Sequence, residues 1–196
     1  MQGRPLVFLD VETTGASSTS SRILEVGALR VEDGKVVKKF KQLIDPTEYV
    51  PSFITGLTGI TNDDIYGKPI FAQIADELAE MLHGAIFVAH NVGFDYAFIQ
   101  KEFKLIGSQF TADRLCTVRL SRKLFPLQRS HRLDELIRIH GYKVANRHRA
   151  YDDAEVLYKF YKDMLDLHGP ELNETLERLL MRAKQPRTAF WASAWD

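Results

Sequence analysis

The feature that most constrains the fold is the stretch LVFLDVETTG at residues 6–15, where an apolar run leads directly into two acids. Such a continuous run is unusual at a sheet edge, so it predicts a buried central strand over residues 5–11, in a sheet covered on both faces. Side chains alternate along a strand, so Asp10 and Glu12 point to the same side where the strand ends. Solvated acids are common at strand ends, so this motif alone leaves a structural explanation open beside a Mg²⁺ site.

The order of predicted elements indicates an α/β fold with a mixed sheet. The turn signal EDG at 32–34 joins two strands, which with the first form a three-stranded antiparallel meander. Alternating helices and strands follow, and they predict parallel strands with helices on both faces. Prolines and glycines at 45–69 predict a long ordered loop. The predicted strands are 5–11, 22–31, a third ending near 44, 85–90 and 113–117, and the predicted helices are 71–82, 94–106, 117–124, 131–140, 150–167 and 171–184.

Composition limits the class of protein. With 196 residues and 45% hydrophobic content, the chain is expected to build one substantial core. The longest apolar runs are too short to span a bilayer, so no membrane partner is expected. Cys116 is the single cysteine, which excludes an internal disulfide and fits a reducing compartment. A cytoplasmic location is therefore expected.

The charges are unevenly distributed although the net charge is zero. Residues 111–149 hold ten Lys and Arg against three acids, an excess of seven positive charges, so the rest of the chain is acidic. A basic lobe can attract a polyanion such as nucleic acid. A solvated face of charged helices explains the same pattern, and on this feature alone it is the better explanation.

A further acid follows the strand within VAHNVGFDYAFI, residues 88–99. The strand ends at His90, and Asp95 lies in the first turn of the next helix. An acid there complements the helix dipole, which is a sufficient structural explanation for this segment alone. Asp95 also shares a helix face with Ile99 and Ile106, which are expected to be buried, so it is predicted to point toward the end of the sheet.

The last acidic segment is HRAYDDAEVLYKFY, residues 148–161. Asp153 lies four residues before Leu157, beside the apolar stripe of the predicted helix. Asp152 is turned about 100° away and is expected to face solvent or cap the helix. A lone histidine before a helix is usually structural, but His148 comes with an inward acid five residues later, which favours a functional role.

Together, three separate segments contribute four inward acids and one histidine. No structural need explains such a cluster, whereas two metal ions about 3.5–4 Å apart do. The segments FLDVETTG, HNVGFD and HRAYDDA resemble the three motifs of the DnaQ-like, or DEDDh, 3′–5′ exonucleases, a family that includes the proofreading epsilon subunit of bacterial DNA polymerase III. The resemblance covers residues 5–168 and implies a ribonuclease H-like fold.

The resemblance also implies the catalytic roles. It makes Asp10, Glu12, Asp95 and Asp153 the acids that hold two ions of Mg²⁺ or Mn²⁺, and His148 the general base. The sister branch of the family has a tyrosine four residues before the last acid. This chain has Arg149 there, so the histidine branch fits.

Substrate contacts are expected from a second set of residues. LTGIT at 57–61 resembles the family's loop that contacts the terminal nucleotide, with Thr58 in place of the usual histidine. Phe94 is expected to stack on a base. The residues predicted to bind the substrate are Thr13, Thr14, Leu57, Ile60, His90 and Phe94.

The expected activity is release of nucleoside 5′-monophosphates from single-stranded DNA 3′ ends, in proofreading or repair. An exoribonuclease uses the same chemistry, so RNA is an alternative substrate. A non-catalytic module that binds nucleic acid or a replicase is a third. Residues 169–196 lie outside the resemblance and are predicted to form a helical extension and tail beyond an exonuclease domain at 1–168. The aromatic tail QPRTAFWASAWD is expected to dock on a polymerase or clamp, or to fold back.

Overall fold

Five strands form one mixed sheet in the computed structural model, which describes residues 3–183. The strand order is β3-β2-β1-β4-β5. The first three strands pair antiparallel, whereas β4 and β5 extend the sheet from β1 in parallel. The predicted meander and mixed sheet are therefore confirmed. The strands are β1 (Leu6–Thr13), β2 (Ile23–Glu32), β3 (Lys35–Leu43), β4 (Ile86–Ala89) and β5 (Arg114–Cys116).

Helices cover both faces of the sheet, as the buried first strand requires. The helices are α1 (Ser52–Thr58), α2 (Asn62–Ile65), α3 (Phe71–Leu82), α4 (Gly93–Leu105), α5 (Thr117–Leu124), α6 (Leu133–His140), α7 (Ala150–His168) and α8 (Glu171–Leu179). Val7 and Leu9 of β1 belong to the core cluster that contains α3 and α4. Phe8 belongs to the opposite cluster, which α7 lines. Strand alternation therefore places Asp10 and Glu12 on the same face as α7. Within residues 3–183, none of the helices combines the length and apolar character that a membrane span needs.

The segment 45–69, predicted as a loop, contains the short helices α1 and α2. Ile54, Ile60 and Ile65 from this segment are buried together with Leu24 of β2. This small core supports two helices that are too short to be stable alone. The prediction of a loop over 45–69 was therefore wrong for the residues of α1 and α2, because proline and glycine content does not reveal the apolar residues that hold the segment against the sheet.

The end of the described chain returns to the sheet. Helix α8 ends at Leu179, earlier than predicted, and buries Leu172 and Leu176 in the core cluster on the α7 side. The backbone N–H and carbonyl of Met181 then pair with those of Arg114, with N···O distances of 2.9 Å. The division of the chain at residue 168 stays a prediction, and α8 packs directly on the fold that precedes it.

Candidate active site

The three acidic segments meet at the carboxyl end of β1. Asp10 and Glu12 come from this strand, Asp95 from the first turn of α4 and Asp153 from the first turn of α7. Glu12, His148 and Asp153 offer ligand atoms that all lie within 4.8 Å of one another. Asp95 is 2% exposed, and its Oδ1 accepts a hydrogen bond from the Val11 backbone N–H at 3.3 Å. The structure therefore brings together all five residues that the motifs predicted.

Burial and mutual repulsion disfavour ionisation of these acids. Burial raises the pKa of Asp10 well above its usual value, and Asp95, Asp153 and Glu12 raise it further. Burial, with repulsion from Asp153, raises the pKa of Glu12 to about 8. Burial also raises the pKa of Asp95 to about 7 and that of Asp153 to about 6. A cluster of carboxylates with such pKa values is stabilised by added positive charge.

The donor set fits a hard divalent cation. Carboxylate oxygens are the ligands that Mg²⁺ and Mn²⁺ prefer. Oδ1 of Asp153 is buried and has no hydrogen-bond partner among the described residues. Native proteins rarely leave a buried acceptor unsatisfied, and a bound cation would satisfy this one. The cluster therefore has both the ligand chemistry and an open acceptor atom that a metal site requires.

Arg147 is a cationic residue of the site that the motifs did not identify. Its guanidinium donates to Oδ2 of Asp153 and, through Nε, to Asp134 at 2.6 Å. Its positive charge lowers the pKa values of Asp10, Glu12 and Asp153, which opposes the effect of burial. Arg147 therefore partly neutralises the cluster, and its guanidinium contacts one of the two carboxylate oxygens of Asp153. In the sequence, the signal that could have identified Arg147 as a site residue was its position directly before His148.

Glu25 anchors the start of α7 and was also missed. It is fully buried on β2, opposite Glu12 in the strand register. Its carboxylate accepts from Nε and Nη2 of Arg149 at 3.0 and 2.8 Å, and from the Ala150 backbone N–H at 3.0 Å. An acid at the first N–H groups of a helix satisfies donors that lack partners. The lone acid within the apolar strand ILEVGALRV was the sequence signal for this role.

Gly27, also on β2, lies against the backbone at the start of α7, which leaves no room for a side chain. A Cβ atom at residue 27 would lie 2.0 Å from the Tyr151 backbone nitrogen. We expect Gly27→Ala to lower stability by about 3 kcal/mol or more, because backbone atoms must move, and to displace Asp153 with the helix start. Denaturant unfolding and Mn²⁺ titration measure both effects. Gly56→Ala is the matched control, because nothing lies within 4 Å of its added Cβ. Equal stability of the two variants would refute the close approach.

His148 lies at the site in a backbone conformation that is uncommon for a non-glycine residue, with φ of 61°. Burial lowers the pKa of its imidazole, and the neighbouring Arg147 lowers it further. His148 is therefore neutral near pH 7 and able to accept a proton. Asp10, Glu12, Asp153, His148 and His90 line a cleft of about 880 Å³, whereas Asp95 is buried and is not among its lining residues.

His90, which was predicted to bind substrate, makes two hydrogen bonds within the protein. Its Nε2 donates to the His131 carbonyl at 2.9 Å, and its Nδ1 accepts from the Thr117 hydroxyl at 2.9 Å. Burial lowers its pKa to about 4, so the ring is neutral. Both nitrogens are occupied, so His90 ties the end of β4 to the segment before α6. His90 also lines the cleft, and its role in substrate binding stays a prediction.

The other residues predicted to bind substrate lie outside the cleft lining. The hydroxyls of Thr13 and Thr14 are bonded to Gly15 and Glu48, which stabilises the turn after β1. Phe94 packs on Phe98 with ring centroids 4.9 Å apart.

The two residues of the segment LTGIT that were predicted to contact a nucleotide, Leu57 and Ile60, differ in exposure. Leu57 is 54% exposed and is free to meet a nucleotide, whereas Ile60 is 1% exposed and belongs to the small core beside α1. Ile106, expected to be buried, is also partly exposed, because it follows the end of α4.

The raised pKa values predict how the metal-free protein responds to pH. The folded chain binds protons on these acids more tightly than the unfolded chain does, so their stabilising contribution is present below about pH 4 and lost as the pH rises to about 8. We expect Asp10→Asn in EDTA to raise Tm over wild type, with a gain that grows from pH 4 to pH 8 and exceeds about 2–4 °C. Asp152→Asn is the control, because Asp152 bonds to Asn146 outside the cluster. A gain in Tm that does not change with pH would contradict repulsion among the clustered acids.

Comparison with known proteins identifies the family. A model of the exonuclease family, RNase_T, matches residues 7–161. The PolC-type DNA polymerase III of Clostridium perfringens is 35% identical over 176 residues, which is 86% of this chain and 12% of that protein. The 3′-5′ exonuclease DinG of Bacillus subtilis is 36% identical over 168 residues, 85% of this chain and 18% of that protein. The chain thus spans less than a fifth of these two relatives.

A relative of similar length also exists. The DNA polymerase III subunit epsilon of Aquifex aeolicus is 34% identical over 178 residues, 88% of each protein. Among solved structures, an E. coli ExoI–ssDNA complex has a TM-score of 0.79 at 19% identity, covering 90% of this chain and 43% of that one. Exonuclease X bound to 5′ overhanging duplex DNA has a TM-score of 0.69 at 23% identity, covering 89% and 96%. Both structures share the fold of this chain.

Proposed function

We propose that this chain, which belongs to the exonuclease family, removes nucleoside 5′-monophosphates from the 3′ end of single-stranded DNA. The observation that carries the proposal is the meeting of Asp10, Glu12, Asp95 and Asp153 with His148 at one end of the sheet. The name of the DinG relative supports cleavage in the 3′–5′ direction, and the DNA complexes of the structural neighbours support DNA as the substrate class.

Two ions of Mg²⁺ or Mn²⁺ are part of the proposal. Asp10, Glu12 and Asp153 would hold one, and Asp10 with Asp95 would hold the other. When bound, such ions supply positive charge that stabilises the attacking and leaving oxygens of a phosphodiester. The open Oδ1 of Asp153 and the raised pKa values of the acids support this assignment.

The residues of the chain supply the proton transfer and the positioning. Neutral His148 accepts the proton of the water that attacks phosphorus. The Val11 backbone N–H orients Asp95, and the Glu25–Arg149 ion pair holds the start of α7, from which Asp153 projects. Leu57, Phe94, Thr13 and Thr14 stay proposed contacts of the terminal nucleotides.

A direct assay tests the proposal. We expect a 5′-labelled DNA single strand to shorten stepwise from its 3′ end in Mg²⁺ or Mn²⁺, with nucleoside 5′-monophosphates as products, and to stay intact in EDTA. A matched RNA strand distinguishes the substrates, since faster cleavage of RNA would indicate an exoribonuclease. Binding of DNA without cleavage in either metal would indicate a non-catalytic module. Asp10→Asn controls for contaminating nucleases.

The cellular setting completes the proposal. The similarity to a polymerase III epsilon subunit supports association with a polymerase, and the single Cys116 supports a cytoplasmic location. The aromatic tail proposed to dock on such a partner falls in residues 184–196, outside the described residues.

A further inference from the structure

The cleft that the acids line is also lined by a strongly basic group of residues. Arg119 and Arg122 project from α5, and Arg129 and Arg132 lie in the segment that leads to α6. All four side chains are exposed, and all four line the same cleft as Asp10, Glu12 and Asp153. We refer to these four residues as the arginine wall.

The arginine wall differs from the other arginines in residues 3–183. None of its four side chains forms an ion pair within that range. Elsewhere in the range, Arg114 lies over the ring of Tyr96, and every remaining arginine pairs with a carboxylate. The paired arginines are Arg4, Arg22, Arg30, Arg138, Arg147, Arg149, Arg178 and Arg182. Within residues 3–183, the arginines that neither pair with a carboxylate nor lie over an aromatic ring are therefore the four at the cleft. A uniformly solvated charged face would not produce this distribution.

Hydrogen bonds hold the segment that carries half of the wall. His131, between Arg129 and Arg132, accepts from His90 Nε2 through its carbonyl, and its Nδ1 lies 2.8 Å from the Ser121 hydroxyl. These contacts connect the segment to β4 and to α5. On α5, Arg119 and Arg122 are three residues apart and so lie on one helix face, with Cβ atoms about 5–6 Å apart. The four exposed side chains thus project from backbone that helix α5 and the contacts of His131 hold in place.

We propose that the arginine wall binds the phosphates of the nucleic-acid strand on the 5′ side of the nucleotide being removed. Guanidinium groups form paired hydrogen bonds with phosphate oxygens, and a basic groove that follows the backbone binds single strands without regard to sequence. The acids attract cations and the arginine wall attracts the polyanion, so the two kinds of charge along one cleft orient a strand with its end at the acids. The inference rests on the proposed function and adds the path of the strand.

Paired variants test the wall. Arg119→Ala/Arg122→Ala and Arg129→Ala/Arg132→Ala each remove two wall charges. Arg138→Ala/Arg178→Ala is the matched control, because it removes the same charge from two exposed arginines that pair with Glu135 and Glu174 outside the cleft. Binding of a fluorescent 12-nucleotide dT strand is measured in EDTA by anisotropy across a salt series. Hydrolysis of the p-nitrophenyl ester of thymidine 5′-monophosphate is measured in Mn²⁺.

We expect each wall variant to lower the slope of log Kd against log salt by about 1.4, at about 0.7 for each phosphate contact, while the control keeps the wild-type slope. Hydrolysis of the small ester should stay within about twofold of wild type in all variants, because the ester has no upstream phosphates. Unchanged slopes in the wall variants, or equal losses in the control, would overturn the inference. Loss of ester hydrolysis in parallel with strand binding would also overturn it, by showing damage to the acidic site. If wild type hydrolyses neither substrate but its strand binding still depends on the wall, the proposed function fails while binding of strand phosphates by the arginine wall stands.

Discussion

Asp153→Asn is expected to lose both Mn²⁺ binding and strand cleavage, whereas the neighbouring Asp152→Asn retains most of each. Asp153 is 3% exposed, faces Glu12 and His148 within the cluster, and has a buried Oδ1 without a hydrogen-bond partner in the described chain. Asp152 is partly exposed and accepts from Asn146 Nδ2 at 3.3 Å. Adjacent residues of a helix point about 100° apart, so the two substitutions compare an acid that points into the cluster with one that points away from it.

The expected loss of cleavage rate for Asp153→Asn is about 10²–10³-fold or more, on the scale of removing one preorganised electrostatic group. Single-turnover cleavage and Mn²⁺ calorimetry on both variants measure the two effects side by side. Circular dichroism checks that both variants fold. An inactive Asp152→Asn beside an active Asp153→Asn would show that the assignment of the last acid is wrong by one residue.

His148→Ala is expected to lower kcat by about 10²–10⁴-fold while Mn²⁺ still binds. The imidazole has a pKa that burial and Arg147 hold below its usual value, so it is neutral and ready to accept a proton at pH 7. In wild type, kcat should be constant above pH 7 and decrease as the pH falls through the His148 pKa, because the protonated ring cannot act as a base. The variant should lose this decrease, and added imidazole should restore part of its rate.

The same experiment distinguishes a base from a ligand. The ring nitrogens of His148 lie close enough to Glu12 and Asp153 to share a metal ion with them. If His148→Ala lowered Mn²⁺ affinity as strongly as Asp153→Asn does, His148 would be a metal ligand and the proposed proton transfer would need another group. His83→Ala is a suitable control, because His83 follows α3 and is not part of the cleft lining.

Short-range periodicity was sufficient to predict which way several of the acids point. The alternation of a strand placed Asp10 and Glu12 on one side, and the phase of a helix separated Asp153 from Asp152. The apolar run before Asp10 predicted a covered central strand, and β1 is that strand. These predictions succeeded because each depends on geometry within one element, which local sequence specifies.

Contacts between distant segments were decided by the tertiary structure alone. The carboxylate of Glu25 holds the start of α7 from 125 positions away, and His90 bonds to a carbonyl 41 residues later. Ile60, predicted to touch a nucleotide, is instead part of a small core. The basic residues of 111–149 were best explained as a solvated face, yet packing separates the paired Arg147 and Arg149 from the arginine wall. Pairing of a charge depends on which surface folding brings opposite to it, and one-dimensional spacing does not contain that information.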